Sequence, residues 1–142
     1  MLITRASLEN YKQVKETLPE AEYHSEARAI VLNRLKNREL RPGIMVVCGG
    51  TADVPVAEEA VVTAELMGNK VEKAYDVGVA GLHRLLDQLP RLRHSKVVVA
   101  VAGMEGALPS VISGLVAVPV IAVPTSIGYG ASFGGLAPLL AM

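Results

Sequence analysis

Three polar residues could carry chemistry, because each follows an aliphatic segment and lies in or beside a glycine-rich turn. Asp53 ends a Gly-Gly-Thr-Ala-Asp segment, His83 begins a His-Arg pair, and Glu105 lies in a Gly-Met-Glu-Gly segment. Histidine commonly exchanges protons near neutral pH, and a carboxylate among apolar residues is costly unless it is paired, metal-bound or reactive. We therefore take Asp53, His83 and Glu105 as candidate catalytic residues, with Asp53 and Glu105 also as candidate metal ligands.

Each of these residues also has a purely structural interpretation, which the residues alone leave open. Asp53 is a natural helix N-cap, with Pro55 in the first turn that would follow. His83 and Arg84 could share the solvated face of a helix, and Glu105 could belong to a partly exposed loop.

Three polar turns, over residues 49–53, 102–109 and 126–132, could hold phosphate groups. Glycines let a backbone approach a phosphate closely, and helix N-termini supply free N–H donors. None of the turns is a G-x-G-x-x-G or P-loop motif, and the last could be a flexible loop with a serine N-cap. We predict substrate or phosphate contacts from these turns and from the segment before His83: Gly50, Thr51, Asp76, Arg84, Gly103, Met104, Gly106, Ser126, Gly128, Tyr129, Gly130 and Ser132.

Alternating strands and helices must position these turns. Apolar runs predict strands over residues 44–47, 70–75, 97–101 and 118–123. Helical periodicity predicts helices over residues 53–67, 80–89 and 108–115, and a last one that opens at Ser132. Continuous apolar strands between helices are typical of a parallel sheet covered on both faces, so we predict a three-layer α/β/α domain over residues 43–142. The turns would then lie together at the carboxyl ends of the strands.

Residues 1–42 predict a smaller N-terminal lobe. Strands over residues 2–4 and 29–32 flank a helix that begins at Ser7 and ends near Leu18, which gives a β-α-β order. The polar, basic segment 33–43 is interpreted as a linker.

Composition excludes several classes of protein. The formal net charge is zero, so non-specific nucleic-acid binding is not expected. A single cysteine and no leader-like start favour a reducing, cytoplasmic setting. Residues 106–142 carry no charge, but prolines and glycines interrupt the segment, which favours a core or subunit interface over a membrane span. The sequence stops in a helical pattern, and we expect a fragment of a longer protein.

Four stretches together resemble the family related to N5-carboxyaminoimidazole ribonucleotide mutase (PurE), and more closely its LarB branch. They cover residues 49–59, 75–86, 102–110 and 119–136, and a weaker similarity extends over residues 1–43. The resemblance implies a PurE- or flavodoxin-like fold. It places Asp53 at a ligand-binding aspartate and His83-Arg84 at the catalytic Ser-Ala-His-Arg motif. In the third turn Ala107 stands where the mutases have histidine, and Glu105 replaces a small residue, which favours the LarB branch.

The resemblance implies an activity on nicotinic acid adenine dinucleotide. Carbon dioxide or bicarbonate would carboxylate the pyridinium ring, the phosphoanhydride would be hydrolysed to give AMP, and Mg²⁺ would assist at the phosphates. This reaction belongs to nickel-pincer cofactor synthesis. The family's nucleophilic cysteine lies in an Asn-Ser-Cys-Ala segment that this sequence does not contain, and Cys48, which we interpret as a buried core thiol, does not correspond to it. Relatives form octamers, so we expect a homo-oligomer, octameric or built from dimers, with no membrane or nucleic-acid partner.

Two alternatives stay open at this point. One is a purine-pathway mutase or carboxylase that acts on an aminoimidazole ribonucleotide. The other is an inactive module that binds a nucleotide or forms oligomers.

Overall fold

A computed structural model of the protein describes residues 1–34, 38–127 and 132–142. Its strands and helices alternate along most of the chain, as the apolar periodicity predicts. In order they are β1 (Leu2–Ile3), α1 (Leu8–Thr17), β2 (Glu22–His24), β3 (Ala29–Val31), β4 (Arg41–Cys48), α2 (Val54–Leu66), β5 (Asn69–Ala74), α3 (Leu82–Asp87), α4 (Leu89–His94), β6 (Val97–Ala102), α5 (Ala107–Leu115), β7 (Val120–Pro124) and α6 (Leu136–Ala141).

The main sheet is parallel, as predicted, and has the strand order β5-β4-β6-β7. The registers bring the carboxyl ends of the strands to one edge, where Cys48 pairs with Val101 and Ala102 pairs with Pro124. The turns that follow β4, β5, β6 and β7 therefore meet at this edge, which is where open α/β sheets bind ligands.

Helices pack on both faces of this sheet. Met45 and Val98 share a buried cluster with Leu85, Leu92 and Ile112 from α3, α4 and α5. On the opposite face, Val46 and Cys48 contact Ala57 and Val61 of α2. Neighbouring strand residues point to opposite faces, so the run Met45–Cys48 contributes to both cores, and the three-layer α/β/α prediction is confirmed.

The N-terminal lobe contains one strand more than its predicted β-α-β order. Its strands form a three-stranded antiparallel sheet in the order β1-β3-β2. The additional strand is Glu22-Tyr23-His24, which is too short and polar to stand out from turn sequence. The lobe rests on the main domain where Val31 packs with Val62 of α2.

The helix predicted to end near Leu89 is interrupted and then continues as α4 to His94. Gln88 ends α3, and Pro90 lies in the first turn of α4, where a proline is tolerated. Over the described ranges, the helices are too short or too polar to cross a bilayer.

Candidate functional site

A cavity of about 550 Å³ opens at the carboxyl edge of the parallel sheet. Its walls come from the turns after β4, β5 and β6 and from the segment after β7. The residues that line it are Gly49, Gly50, Thr51, Ala52, Asp53, Asp76, Gly78, Val79, Ala80, Arg84, Ala102, Gly103, Met104, Glu105, Ala107, Leu108 and Ile127. The lining includes the predicted catalytic residues Asp53 and Glu105 and six of the twelve residues predicted to bind substrate: Gly50, Thr51, Asp76, Arg84, Gly103 and Met104.

Asp53 is the buried charged group of this site, with 7% of its surface exposed. One carboxylate oxygen, Oδ2, accepts a hydrogen bond from the backbone N–H of Gly50 at 3.0 Å. The other, Oδ1, accepts one from the hydroxyl of Thr125 at 2.7 Å. Asp53 occupies the N-cap position of α2, but its side chain does not cap that helix. The carboxylate instead closes the turn before α2 and connects it to the end of β7.

Two glycines of the site have no room for a side chain, because other atoms approach their Cα positions closely. A Cβ atom added to Gly78 would lie 2.6 Å from the carbonyl oxygen of Gly49, so the turns after β4 and β5 touch through their backbones. A Cβ atom added to Gly103 would lie 2.6 Å from Oγ1 of Thr125 and would also clash with the carbonyl oxygen of Ile127. The floor of the cavity therefore consists largely of closely packed main chain.

Arg84 and Asp76 form an ion pair at the mouth of the cavity. Their closest atoms are 3.5 Å apart, and both side chains are about half exposed, at 46% and 56%. Asp76 adopts a left-handed backbone conformation (φ 57°), which is uncommon outside glycine and tolerated best by aspartate and asparagine. An exposed pair of this kind adds little stability, so its charges stay available to a ligand.

Glu105 lies on the cavity wall and is exposed. Across residues 1–34, 38–127 and 132–142, neither Glu105 nor Asp53 takes part in a salt bridge. The same ranges contain no group of three or more histidine, cysteine, aspartate or glutamate side chains placed to hold a metal ion.

Four other predicted residues lie off the cavity wall. His83 is exposed on α3, next to Arg84, and Ser126 is exposed after β7. Gly106 and Ser132 are buried, and Gly106 has a positive φ of 69° against Pro138. The roles of these residues stay predictions. Gly128, Tyr129 and Gly130 lie outside the described residues.

Cys48 is fully buried beneath the first turn, as predicted for a core thiol. Burial raises the pKa of its thiol to about 11. At neutral pH the thiolate is therefore a very small fraction, and Cys48 is a poor nucleophile.

A second polar cluster stabilises the packing of α2 on β5, away from the cavity. Glu58 of α2 accepts hydrogen bonds from Lys73 at 2.9 Å and from the hydroxyl of Tyr75 at 2.7 Å. Burial acts to raise the pKa of Glu58, but these two donors outweigh it and lower that pKa below its ordinary value. Burial, followed by the bond to Glu58, raises the pKa of Tyr75 far above that of a free tyrosine.

Thr125 is the main residue that sequence reasoning missed. It is buried with 2% exposure, and its hydroxyl is bonded to Asp53. The available signal was its place directly after an apolar strand, at the same sheet edge as Asp53. Apolar wall residues such as Val79, Leu108 and Ile127 carried no signal, because nothing in a sequence separates them from core residues.

Comparisons with known proteins cover both parts of the chain. Residues 43–142 match the family model described as AIR carboxylase, and residues 1–34 match the model described as the LarB/PurE-like N-terminal domain. An uncharacterized protein of Methanocaldococcus jannaschii is 46% identical over 123 residues, which are 84% of this chain and 46% of that protein. The N5-carboxyaminoimidazole ribonucleotide mutase of the same organism is 36% identical over 84 residues, which are 57% of this chain and 51% of that protein. The chain spans about half the length of these curated relatives.

Proposed function

The chain belongs to the AIR carboxylase family, and from that premise we propose that it is the nucleotide-binding part of a LarB-type carboxylase. The substrate would be nicotinic acid adenine dinucleotide. Its pyridinium ring would gain a carboxyl group from carbon dioxide, and hydrolysis of its phosphoanhydride would release AMP. The match of residues 1–34 to a LarB/PurE-like N-terminal domain, joined to the family segment, supports this branch.

The charge of the cavity is the observation on which the proposed substrate rests. Among the residues that the structure describes, the walls hold the carboxylates of Asp53, Asp76 and Glu105 and one guanidinium, that of Arg84, so carboxylates exceed cations. A carboxylate beside a cationic ring stabilises the ring's positive charge. The pyridinium ring carries a positive charge at its nitrogen, alongside its own carboxylate substituent, whereas the ring of an aminoimidazole ribonucleotide carries none. A cavity carboxylate beside the ring nitrogen would therefore favour the pyridinium substrate.

The first turn is suited to the phosphates of a dinucleotide. The chain at Gly49 and Gly50 carries no side chain, and Thr51 adds an exposed hydroxyl on the cavity wall. The 13-residue helix α2 begins directly after this turn, so its positive dipole end faces the cavity. We assign the phosphates to Gly50 and Thr51, with Arg84 at the mouth as a further partner.

Mg²⁺ agrees with the donor set, because it usually binds through one or two carboxylates together with substrate phosphates. Asp53 and Glu105 are the carboxylates that would hold it in this cavity. When bound, the ion would offset the negative charge of the phosphates. Asp53 would meanwhile keep its contacts to Gly50 and Thr125, since each carboxylate oxygen has a second lone pair.

The apolar part of the wall suits the carboxylation step. Val79, Leu108 and Ile127 line the cavity beside the carboxylates. Apolar side chains beside the reacting atoms favour attack of a carbon nucleophile on carbon dioxide over protonation of that nucleophile by water. The thiolate that activates the ring would come from outside these residues, because the Cys48 thiol is buried and has a raised pKa.

A purine-type mutase or carboxylase is the second candidate. The 36% identity to the Methanocaldococcus jannaschii N5-carboxyaminoimidazole ribonucleotide mutase favours it. Against it stands Ala107, which lines the cavity at the position where the resemblance implies a histidine.

A labelled-carbon assay separates the two candidates. The full-length product of the gene would be incubated with ¹³C-bicarbonate, Mg²⁺ and either nicotinic acid adenine dinucleotide or aminoimidazole ribonucleotide, and products would be identified by mass spectrometry. We expect a labelled pyridinium mononucleotide and AMP. Label in the imidazole product instead would establish the purine reaction. If neither product carried label, both enzymatic candidates would fail, and the inactive binding module would be the interpretation left.

We further propose that the protein forms homo-oligomers. Phe133, Leu139 and Leu140 are largely exposed on and before α6, and Ile121 is exposed on the edge strand β7. Clustered apolar exposure of this kind is typical of an interaction surface. Light scattering of the full-length protein should give a multiple of the protomer mass, and a monomer would contradict the proposal.

A further inference from the structure

The hydroxyl of Thr125 connects the end of β7 to the buried carboxylate of Asp53. It lies 2.7 Å from Oδ1 of Asp53 and 3.2 Å from the carbonyl oxygen of Ile127. A hydroxyl has a single proton to donate. The shorter distance and the negative charge both direct that proton to Asp53.

The hydroxyl has little freedom to turn away. The backbone N–H of Thr125 donates to the carbonyl of Ala102 at 3.0 Å, which extends the pairing of β6 with β7. Threonine is branched at Cβ, so its side-chain rotamer is restricted. Gly103 leaves the space that the hydroxyl occupies, because a Cβ atom there would lie 2.6 Å from Oγ1.

The bond joins parts of the site that the sheet keeps apart. β4, which leads to Asp53, and β7, which leads to Thr125, are separated by β6. The Gly50 backbone N–H holds one oxygen of Asp53, and Thr125 holds the other. A carboxylate bound at both oxygens has a single orientation, which here depends on the placement of Thr125 at the end of β7.

We infer that Thr125 is a positioning residue, which orients Asp53 toward the substrate and ties it to the end of β7. Neither the family matches nor the sequence motifs assign a role to Thr125. The catalytic part of this inference rests on the proposed function, whereas the contact with Asp53 stands on geometry alone.

Turnover by the full-length protein tests the catalytic part, with nicotinic acid adenine dinucleotide as substrate. Thr125→Val keeps the shape and removes the hydroxyl, so kcat should fall at least about tenfold while KM stays within about threefold. Thr125→Ser keeps the hydroxyl and should stay within about threefold of the wild-type kcat. Thr63→Val is the matched control, because the Thr63 hydroxyl donates within α2, to the carbonyl of Glu59 at 2.7 Å. An unchanged kcat in Thr125→Val, or an equal loss in Thr125→Ser, would overturn the inference.

Thermal unfolding tests the contact without any substrate. Thr125→Val should lower the unfolding midpoint in the wild-type background, and the shift should shrink to less than half in an Asp53→Ala background. Equal shifts in both backgrounds would show that the two residues are not coupled. If the wild-type protein turned over neither substrate, the proposed function would fail, and this cycle would still decide whether Thr125 holds Asp53.

Discussion

The two sides of the cavity are built in different ways. On the inner side, Asp53 and Thr125 are buried, hydrogen-bonded to each other and surrounded by close backbone contacts. On the outer side, Arg84, Asp76 and Glu105 are exposed, and the one ion pair among them spans 3.5 Å. The inner side is fixed before a ligand arrives, and the outer side presents charge to it.

This difference indicates that the two sides of the cavity have different roles. Pre-oriented buried groups act strongly on a bound substrate, because they need no rearrangement and are poorly screened. Exposed charges are screened by water and salt, so they guide and hold a ligand weakly. Substitutions on the inner side should therefore affect chemistry and folding, while those on the outer side should affect binding.

The largest effect is expected for Asp53→Asn, which removes the charge and keeps the shape. It should lower kcat/KM at least about 100-fold, because the proposed function places this carboxylate at the reacting substrate. Asp87→Asn, a change to an exposed carboxylate at the end of α3, should leave kcat/KM unchanged. Equal activity of the two variants, measured on the full-length protein, would remove Asp53 from the centre of the site.

Packing of the inner side is tested by Gly103→Ala. The new methyl group would meet Thr125 and Ile127, and overpacking of this kind costs about 1–3 kcal/mol of unfolding free energy. Gly114→Ala is the matched control, because a Cβ atom there has no neighbour within 4 Å and lies in α5. The unfolding free energy of that control, measured in urea, should rise by up to about 1 kcal/mol, since alanine favours a helix more than glycine does. A Gly103→Ala protein as stable as the wild type would contradict the close contact of Gly103 with Thr125 and Ile127.

Burial of Cys48 beneath the inner side predicts a loss of stability in alkali. Its pKa is raised from 9.0 to about 11, so the folded state keeps a proton that the unfolded chain releases. Stability should therefore fall as the pH rises above about 9, by an amount of order 2 kcal/mol once pH 11 is passed. In urea unfolding between pH 8 and 9.5, the unfolding free energy of the Cys48→Ser variant should fall less steeply than that of the wild type. Parallel curves for the two proteins would contradict a buried thiol.

The smallest effect on folding is expected on the outer side. Arg84→Gln should change the unfolding free energy by less than about 0.5 kcal/mol, because both partners of its ion pair are exposed. It should raise KM about threefold to tenfold at low salt, and the difference should shrink in 0.5 M salt as screening increases. A large loss of stability, or a KM effect independent of salt, would show that the two sides do not differ as described.

The strands, the parallel sheet and the position of the cavity could be predicted because they depend on local patterns. Apolar runs such as 97–101 mark buried strands, and glycine turns after them mark the ligand edge. Contacts between residues far apart in the sequence could not be predicted from such local patterns. Nothing in the local sequence indicates that Thr125 reaches Asp53 across 72 positions, or that Gly78 is glycine because Gly49 lies against it.

A crystal structure of the full-length protein with AMP and Mg²⁺ would test the central claim, that the cavity beside Asp53 is the nucleotide site. We predict the phosphate against the backbone of Gly50 and Thr51, with Asp53 still bonded to Thr125. AMP bound at any other place on the protein, with the cavity at the carboxyl edge of the sheet left empty, would contradict the account.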